Sequence, residues 1–192
     1  MVVGDSGSGK TSLIKAISGL WAHGRGTVTT PRHVRTLYAA QDVKLQVVSL
    51  KELFCLPDSS GDYPDTRVAL ALHEAGLGEF IDELPKDGRN GQSWDLLLSG
   101  GQKQKLVLAK ILLLQPGLLF LDETTSALDI QAVHVFHQAI LDHCPEATVI
   151  AVMHDVSPIR SASGVDFFDS VLMIERGVAT KMPIAAWRQT TT

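Results

Sequence analysis

Gly4-Asp5-Ser6-Gly7-Ser8-Gly9-Lys10-Thr11 is the stretch that decides the fold of this 192-residue chain. It fills the pattern Gly-x-x-x-x-Gly-Lys-Thr completely, between an apolar segment at residues 1–3 and a helical pattern that starts near Lys10. The glycines let backbone N–H groups surround phosphate oxygens, and the start of the helix adds the positive end of its dipole. An ordinary loop rich in glycine and serine is the alternative, but the flanking strand and helix favour a site for nucleotide phosphates.

Each residue of this loop has an expected task. The Lys10 ammonium is expected to neutralise the β- and γ-phosphates and to take part in catalysis, and the Thr11 hydroxyl is expected to be a ligand of Mg²⁺. The other phosphate contacts are expected from the rest of the loop and the first helical turn, which comprise Gly4, Asp5, Ser6, Gly7, Ser8, Gly9 and Ser12.

Two adjacent carboxylates, Asp122 and Glu123, end the apolar run at residues 118–121. Such a run indicates a strand covered on both faces, where burying two carboxylates is costly without a cation or water partner. Successive side chains of a strand point to opposite faces, so the two carboxylates are expected to have different tasks. Asp122 is the expected Mg²⁺ ligand, and Glu123 is the expected base that polarises the attacking water. A helix cap with a solvated neighbour is the alternative.

Ser99-Gly100-Gly101-Gln102 has the chemistry of a second anion-binding loop. Ser99 and Gln102 form the pattern of a capping box, and the two glycines leave N–H groups accessible at the start of a helix. One nucleotide has a single triphosphate, which the first loop already binds. From the residues alone, a well-capped helix is therefore the alternative interpretation.

Hydrophobic periodicity and turn residues predict alternating strands and helices over most of the chain. We expect strands at residues 1–3, 27–29, 34–40, 118–121, 148–153 and 171–174, the last followed by a turn at 175–177. We expect helices from Lys10 onward, from Ser49 to Pro57, over 65–75, over 101–114 and over Ile130–His143, with a glycine-rich loop at 87–91.

This alternation predicts an α/β fold: a P-loop nucleotide-triphosphatase core with a mainly parallel sheet and an inserted helical subdomain. We expect one domain over 1–192, in which residues 1–45 and 116–192 form the core and 46–115 form the helical subdomain. Ligands of such sheets collect at the carboxyl ends of the strands. The candidate site positions that lie there are Lys10, Gln41, Asp122, Glu123 and His154.

Composition narrows the possible functions. The net charge of −4 gives no indication of nucleic acid, because proteins that bind nucleic acid usually carry a basic face. Cys55 and Cys144 lie far apart and are expected to be reduced thiols that pack in the core. No apolar run reaches the roughly 18–20 residues of a membrane span, so we expect no span in this chain.

Two histidines and two lysines are not expected to belong to a functional site. His134 and His137 are three residues apart on a predicted helix and could in principle bind a metal. A third ligand is not evident, so surface or packing histidines are the favoured interpretation. Lys103 and Lys105 are expected to be solvated charges on a helix.

The combination of motifs resembles the ATP-binding domain of ABC transporters over nearly the whole chain. Leu98-Ser99-Gly100-Gly101-Gln102 matches the family's signature, and the resemblance implies that this segment completes the ATP site of an opposing subunit. The resemblance also implies that Gln41 senses Mg²⁺ and the transmembrane interface, and that His154 contacts the γ-phosphate. Asp129 matches the loop that reaches across the dimer.

The resemblance implies ATP and Mg²⁺ as cofactors and an ATPase activity coupled to transport through ATP-dependent dimerisation. The implied partners are a second ABC ATPase domain, in a homodimer or heterodimer, and the transmembrane domain of a transporter, with no nucleic acid. The chain would then lie at the cytosolic face of a membrane, attached through a transmembrane domain or subunit.

A finer resemblance is to the half-transporters of the peroxisomal fatty-acyl (ALD) group and their bacterial relatives of the SbmA/BacA and YddA kind. The residues that carry it are Ser18-Gly19-Leu20-Trp21, the short interval from Lys10 to Gln41, Ser49-Leu50-Lys51-Glu52 with Pro57, and Trp94. The sequence departs from that group at Asp42-Val43, Val48 and Gln102, where Arg-Pro, glycine and often glutamate are usual.

The beginning of the domain is expected to be missing. The family normally has two or more strands ahead of the phosphate loop, including an aromatic residue that stacks on adenine, whereas only residues 1–3 precede Gly4 here. We expect the chain to be a fragment that binds ATP weakly on its own and exposes an unpaired sheet edge.

Two other functions remain open at this point. The first is a non-transport ABC protein that acts on DNA or ribosomes. DNA-repair members insert a long coiled coil before the signature, and translation-related members carry two such domains, and neither feature is present here. The second is an inactive, truncated nucleotide-binding module, although all the catalytic residue types are intact.

Overall fold

The computed structural model describes residues 1–153, 160 and 164–190. The chain forms two compact units: the first comprises Met1–Gln41, Pro116–Ser126 and Glu146–Thr192, and the second comprises Asp42–Gln115 and Ala127–Pro145. The domain boundaries predicted after residues 45 and 115 stay a prediction. Segment Ala127–Pro145, which that prediction assigned to the α/β core, belongs to the second unit in the structure.

Strands and helices alternate along the described chain. The strands are β1 (Val2–Val3), β2 (Thr36–Ala39), β3 (Gly88–Arg89), β4 (Gln92–Ser93), β5 (Leu118–Asp122), β6 (Thr148–Val152), β7 (Ser170–Glu175) and β8 (Val178–Pro183). The α-helices are α1 (Lys10–Ile17), α2 (Leu50–Cys55), α3 (Asp65–Glu74), α4 (Trp94–Leu97), α5 (Gly100–Leu114), α6 (Ile130–His143) and α7 (Ile184–Thr190). Short 3₁₀ helices lie at Ser60–Asp62 and Gly78–Glu83.

The first unit contains a six-stranded sheet in the order β2-β5-β6-β1-β7-β8. The first five strands in this order are parallel, and β8 pairs antiparallel with β7 at the edge. This mainly parallel sheet confirms the predicted fold class. Strand β5 lies between two parallel neighbours and is buried at every position, which explains the apolar run at its first four residues.

Helix α1 packs against β5 and β6 through its apolar side. Ile14 of α1 is fully buried in a cluster with residues of four strands, namely Val2, Leu118, Phe120, Val152 and Ile174. Burial of each large apolar side chain contributes about 1.5–3 kcal/mol. The cluster therefore fixes the start of α1, and with it the preceding loop, beside the carboxyl ends of the strands.

Helix α5 is central in the second unit, where α2, α3 and α6 contact it. The rings of Phe80 and Trp94 meet edge to face in this unit, with their centroids 5.9 Å apart. The Trp94 indole N–H donates to the Lys86 carbonyl oxygen at 2.8 Å, which satisfies the polar atom of a buried side chain. The unit thus has a helical core that contains large buried aromatic rings, among them Trp94.

Both cysteines are buried in the second unit, and neither forms a disulfide. Cys55 ends α2 and Cys144 follows α6. Burial raises the pKa of each thiol above its ordinary value. The prediction that both cysteines pack in the core is confirmed.

Two of the secondary-structure predictions are wrong. Residues 27–29 form no strand, because the surrounding segment is exposed and irregular, with Gly24 and Gly26 at φ of 137° and 159°. The predicted loop at 87–91 instead contributes to a hairpin of β3 and β4. Its two turn residues, Asn90 and Gly91, have φ of 54° and 77°, as is typical of tight Asn-Gly turns.

The carboxyl end holds two elements that the sequence pattern did not predict, β8 and α7. Strand β8 is an edge strand with almost every residue exposed, so it lacks the apolar run by which β5 is recognised. The prediction that Lys103 is a solvated charge is also wrong. Its ammonium lies 2.7 Å from the Asp95 carboxylate, and only a fifth of the side chain is exposed.

A search of the helices in the described ranges finds none with both the length and the apolar character needed to cross a membrane.

Candidate nucleotide site

The loop between β1 and α1 has the backbone of a phosphate-binding loop. Gly4, Gly7 and Gly9 have φ of 148°, 77° and 97°, a region that favours glycine. A side chain at Gly4 would also collide with strand β7, because its Cβ would lie 2.4 Å from the Ile174 carbonyl oxygen. Glycine is therefore required at Gly4 both by backbone conformation and by the close approach of β7.

The Lys10 side chain folds back over this loop. Its Nζ donates to the carbonyl oxygens of Gly4 and Asp5, at 2.8 and 2.9 Å, and the residue is only 5 % exposed. A buried ammonium is costly unless polar groups surround it. The loop thus holds a positive charge beside its own exposed backbone at Asp5, Ser6 and Gly7.

Asp122, at the end of β5, is 3 % exposed and accepts hydrogen bonds from two hydroxyl groups. The Thr11 Oγ1 donates to its Oδ1 at 2.9 Å, and the Tyr38 hydroxyl donates to its Oδ2 at 2.8 Å. Burial, followed by the hydrogen bond to Asp122 and the charge of that carboxylate, raises the pKa of Tyr38 above its ordinary value. The Tyr38 phenol therefore stays a hydrogen-bond donor at neutral pH.

Thr11 and Asp122 fit a magnesium ion that is shared with a nucleotide. Both offer hard oxygen atoms, and Mg²⁺ is usually bound by one or two carboxylates together with substrate phosphates. The Thr11 hydroxyl and the Asp122 carboxylate are already adjacent in the structure. Within the described ranges, no group of three or more histidine, cysteine, aspartate and glutamate side chains could hold a metal ion.

Glu123 directly follows β5 and has a left-handed backbone, with φ of 53°. Its N–H donates to the Val152 carbonyl oxygen at 3.1 Å, and its own carbonyl accepts from the Ser126 N–H at 3.1 Å. The expectation that strand alternation sets the direction of Glu123 is therefore wrong, because the strand ends at Asp122. A turn fixed by two backbone hydrogen bonds places this half-buried residue instead.

The first unit brings most of its predicted site residues to one edge of the sheet. The phosphate loop, Thr11 and Asp122 are joined by the contacts above, and Ser12 lies exposed on the first turn of α1. Gln41 is exposed two residues after the end of β2. His154 lies outside the described residues.

In the second unit, the start of α5 is capped by its own side chains. The Gln102 N–H donates to Ser99 Oγ at 3.2 Å, and the Ser99 N–H donates to Gln102 Oε1 at 2.9 Å, which confirms the predicted capping box. The Gln102 Nε2 also donates to Glu79 Oε1 at 3.1 Å. Ser99 and Gly100 are exposed at this helix start.

The segment after Ser126 packs closely on the two signature glycines. A Cβ on Gly100 would lie 3.4 Å from the Ala127 Cβ, and one on Gly101 would lie 3.4 Å from the Ala127 carbonyl oxygen. The buried Gln104 side chain accepts a hydrogen bond from the Ala127 N–H at 2.9 Å. Asp129 then caps α6 by accepting from the Ala132 N–H at 2.8 Å. Ser99–Gln102 and Asp129 are therefore parts of one local structure, with Gln104 as a contact that the sequence did not predict.

The paired histidines of α6 are not arranged alike. His137 is buried, and its Nδ1 lies 2.9 Å from the Val133 carbonyl oxygen, so that nitrogen carries the proton. Burial, the largest effect, lowers the pKa of His137 to about 4. The hydrogen bond to Val133 opposes this shift, and His134 adds to it. His137 is thus a neutral packing residue at neutral pH.

Comparison with known proteins agrees with this geometry. Residues 1–126 match the family described as ABC transporter. The chain is 34 % identical over 190 residues to the cyclolysin secretion/processing ATP-binding protein CyaB of Bordetella pertussis, covering 92 % of this chain and 25 % of that protein. It is 33 % identical over 198 residues to an ATP-dependent lipid A-core flippase of Pseudomonas syringae pv. tomato, covering 94 % and 32 %.

A third relative is an ABC transporter ATP-binding protein of Haemophilus influenzae, which is 30 % identical over 154 residues that cover 80 % of this chain and 25 % of the relative. The chain thus spans between a quarter and a third of the length of these three proteins. The matched residues include the phosphate loop, the signature and the Asp122-Glu123 pair. The chain therefore belongs to the ABC transporter family, as an ATP-binding domain.

Proposed function

We propose that this domain binds ATP with Mg²⁺, hydrolyses it, and powers a membrane transporter by ATP-dependent pairing with a second ATPase domain. One observation carries the proposal: a buried lysine on the phosphate loop lies in the same unit as the hydrogen-bonded pair of Thr11 and Asp122. Relatives that are named for secretion and for lipid flipping support the transport part of the proposal.

Binding begins at the loop of residues 4–11. Its backbone N–H groups bind phosphate oxygens, and the Lys10 ammonium exchanges the carbonyl oxygens of Gly4 and Asp5 for the β- and γ-phosphates. The exchange is favourable because a hydrogen bond between two charged groups is stronger than one to a neutral carbonyl. Thr11 and Asp122 would hold Mg²⁺, with Gln41 as a further ligand, and the ion would neutralise charge that develops on the phosphates.

Glu123 is the proposed general base. Its carboxylate polarises the water whose oxygen forms a bond to the γ-phosphorus while the bond from that phosphorus to the β-phosphate oxygen breaks. The backbone hydrogen bonds to Val152 and Ser126 hold Glu123 directly after Asp122, so that the base and the metal ligand are neighbours in the chain. His154 is proposed to contact the γ-phosphate.

The second unit is proposed to serve the ATP of a partner domain. Ser99, Gly100, Gly101 and Gln102 would contact its γ-phosphate, and Asp129 would reach across the dimer. The exposure of Ser99 and Asp129 supports this role, because a surface that contacts a partner must be accessible before pairing. Residues 46–115 are the proposed helical subdomain, facing a transmembrane domain at the cytosolic side of a membrane.

We also place the chain in the branch of the peroxisomal fatty-acyl and SbmA/BacA/YddA-like half-transporters. Support comes from Gly19-Leu20-Trp21 after α1 and from the capping box of α2. In that box the Ser49 side chain accepts from the Glu52 N–H, and the Glu52 side chain accepts from the Ser49 N–H. A second half-transporter copy is the partner that this placement favours.

The central test is the substitution Glu123→Gln. We expect hydrolysis to fall by roughly 10²–10⁴-fold, the usual contribution of a general base, while MgATP binding is retained. Phosphate release and the binding of a fluorescent ATP analogue are the two measurements. Glu175→Gln is the control, since Glu175 is an exposed carboxylate at the end of β7 in the same sheet. Equal hydrolysis by wild type and Glu123→Gln would show that Glu123 is not the general base.

A further inference from the structure

The register of the sheet brings Tyr38 to the Asp122 carboxylate. Tyr38 of β2 pairs with Phe120 of β5, and Phe120 and Asp122 lie on the same face because they are two residues apart. The rings of Tyr38 and Phe120 pack with centroids 6.3 Å apart, at an angle of 33°. From there the phenol hydroxyl reaches past Phe120 to Asp122 Oδ2, at 2.8 Å.

We infer that Tyr38 is a positioning residue for the magnesium ion of the nucleotide site, acting through the Asp122 carboxylate. Its hydroxyl binds Oδ2, and this leaves Oδ1 directed at the hydroxyl of Thr11, the second magnesium ligand. The inference rests on the proposed function, since it concerns the metal that accompanies ATP. It adds a residue outside the phosphate loop, the carboxylate pair and the signature.

The physical reason is the burial of Asp122. An ionised carboxylate that is 3 % exposed needs hydrogen-bond donors for both oxygen atoms, and it rotates toward whichever donors are present. Removing the phenol oxygen leaves Oδ2 without that donor, so orientations of the carboxylate that point away from Thr11 become more favourable. The Asp122 carboxylate would then adopt several orientations, and only one of them would suit Mg²⁺.

Tyr38→Phe is a narrow change. The ring that packs against Phe120 is kept, and one oxygen atom is lost. The chain contains two tyrosines, and the second supplies a matched control. The Tyr63 hydroxyl also donates to a carboxylate, Asp58 Oδ2 at 2.5 Å, but it lies in the second unit and away from the predicted metal ligands in sequence.

The experiment measures how nucleotide binding by the 192-residue chain depends on Mg²⁺. A fluorescent ATP analogue is titrated in EDTA and then over a series of Mg²⁺ concentrations, with wild type, Tyr38→Phe and Tyr63→Phe. For Tyr38→Phe we expect the half-saturating Mg²⁺ concentration to rise about tenfold, the effect of losing one hydrogen bond to a charged group, with affinity in EDTA unchanged. Tyr63→Phe is expected to behave as wild type.

Asp122→Asn provides a second background that shows whether Tyr38 acts through Asp122. In that variant the further change Tyr38→Phe is expected to leave the Mg²⁺ requirement unaltered, because the carboxylate that Tyr38 orients is gone. Binding of Mn²⁺ to the nucleotide complex, followed by its electron paramagnetic resonance signal, gives the same comparison without hydrolysis.

The outcomes separate this inference from the proposed function. A wild-type Mg²⁺ dependence in Tyr38→Phe overturns the inference while the ATPase proposal stands. An equal loss of affinity with and without Mg²⁺ also overturns it, because Tyr38 would then only support the fold. Absence of nucleotide binding in the wild type at any Mg²⁺ concentration overturns the proposed function, and the inference with it.

Discussion

The two glycine-rich loops of the chain open helices in different ways. The N-cap residue of α1 is Gly9, which has φ of 97° and no side chain to cap the helix, and the buried Lys10 folds over this loop. The N-cap residue of α5 is Ser99, whose hydroxyl accepts from the Gln102 N–H in a complete capping box. The first loop leaves its helical N–H groups without a side-chain cap, whereas in the second loop the N–H groups of Ser99 and Gln102 are satisfied by side chains. Two loops of similar composition thus differ in whether side chains cap the helix that follows.

The buried polar residues of the two units also differ, because those of the first unit include charged side chains and those of the second unit are neutral. In the first unit they include two charged groups at the site, Lys10 and Asp122. In the second unit they are Gln104 and the neutral His137, which hydrogen-bond to Ala127 and Val133. Burying a charge is costly, so charges persist where a ligand or metal uses them. Buried polar groups that serve only the fold can be neutral.

The strongest test of this comparison removes the buried charge of the first loop. In Lys10→Met we expect ATP hydrolysis to fall by at least about 10²–10³-fold, because a fixed cation at the transferring phosphate is lost. Phosphate release measures this effect, and circular dichroism checks that the chain is folded. Lys51→Met, which removes a lysine from an ion pair with Asp65 in the second unit, is the control and should retain hydrolysis. A similar loss in both variants would contradict the distinction between the loops.

Acid should affect the second unit through His137. The folded-state pKa of about 4 lies below the ordinary value of 6.5, so the unfolded chain binds this proton more readily. Stability is therefore present above pH 6.5 and is lost as the pH falls toward 4. From this residue we expect the free energy of unfolding to be about 2 kcal/mol lower at pH 5 than at pH 7.

Urea unfolding at the two pH values measures this loss. His137→Leu should remove most of the pH-dependent difference, because its side chain cannot bind a proton. His73→Gln is the control, since His73 is exposed on α3 and should leave the difference in place. If His137→Leu keeps the full difference, another group causes the acid sensitivity.

The smallest effect concerns the two serine caps of the second unit. Ser99→Ala and Ser49→Ala each remove the serine of a complete capping box, and each should lower stability by about 1 kcal/mol. In the hydrolysis-deficient Glu123→Gln background, we expect Ser99→Ala alone to weaken ATP-dependent dimerisation. Light scattering measures the dimer. Equal dimerisation by the two variants would show that Ser99 is only a helix cap.

The parts of the structure that were predictable depend on residues close together in sequence. The phosphate loop and the capping boxes of Ser49 and Ser99 each lie within a few consecutive residues. Strand β5 was visible because burial on both faces favours apolar residues, and its first four positions are all apolar. In each case the local physical requirement specifies the residue types directly.

The contacts that were missed depend on how distant segments align. Tyr38 reaches Asp122 only because β2 and β5 pair in one register, which a strand pattern does not specify. Gln104 similarly depends on the approach of Ala127 from another segment. Glu123 was misjudged because a left-handed residue ends the alternation of side chains. The position of Tyr38, three residues before Gln41, could have indicated its contact with the site, but an aromatic residue in a strand is usually part of the core.

The burial of both native thiols has a practical consequence for spectroscopy. Alkylating dyes react with the thiolate form of cysteine. Cys55 and Cys144 are both shielded from solvent, and burial raises the pKa of each thiol, so little thiolate is present. A single cysteine introduced at an exposed position, such as Leu70 of α3 or Ala16 of α1, would be modified in strong preference to them. Fluorophores or spin labels could therefore report on each unit separately in the otherwise native sequence, without first replacing either cysteine.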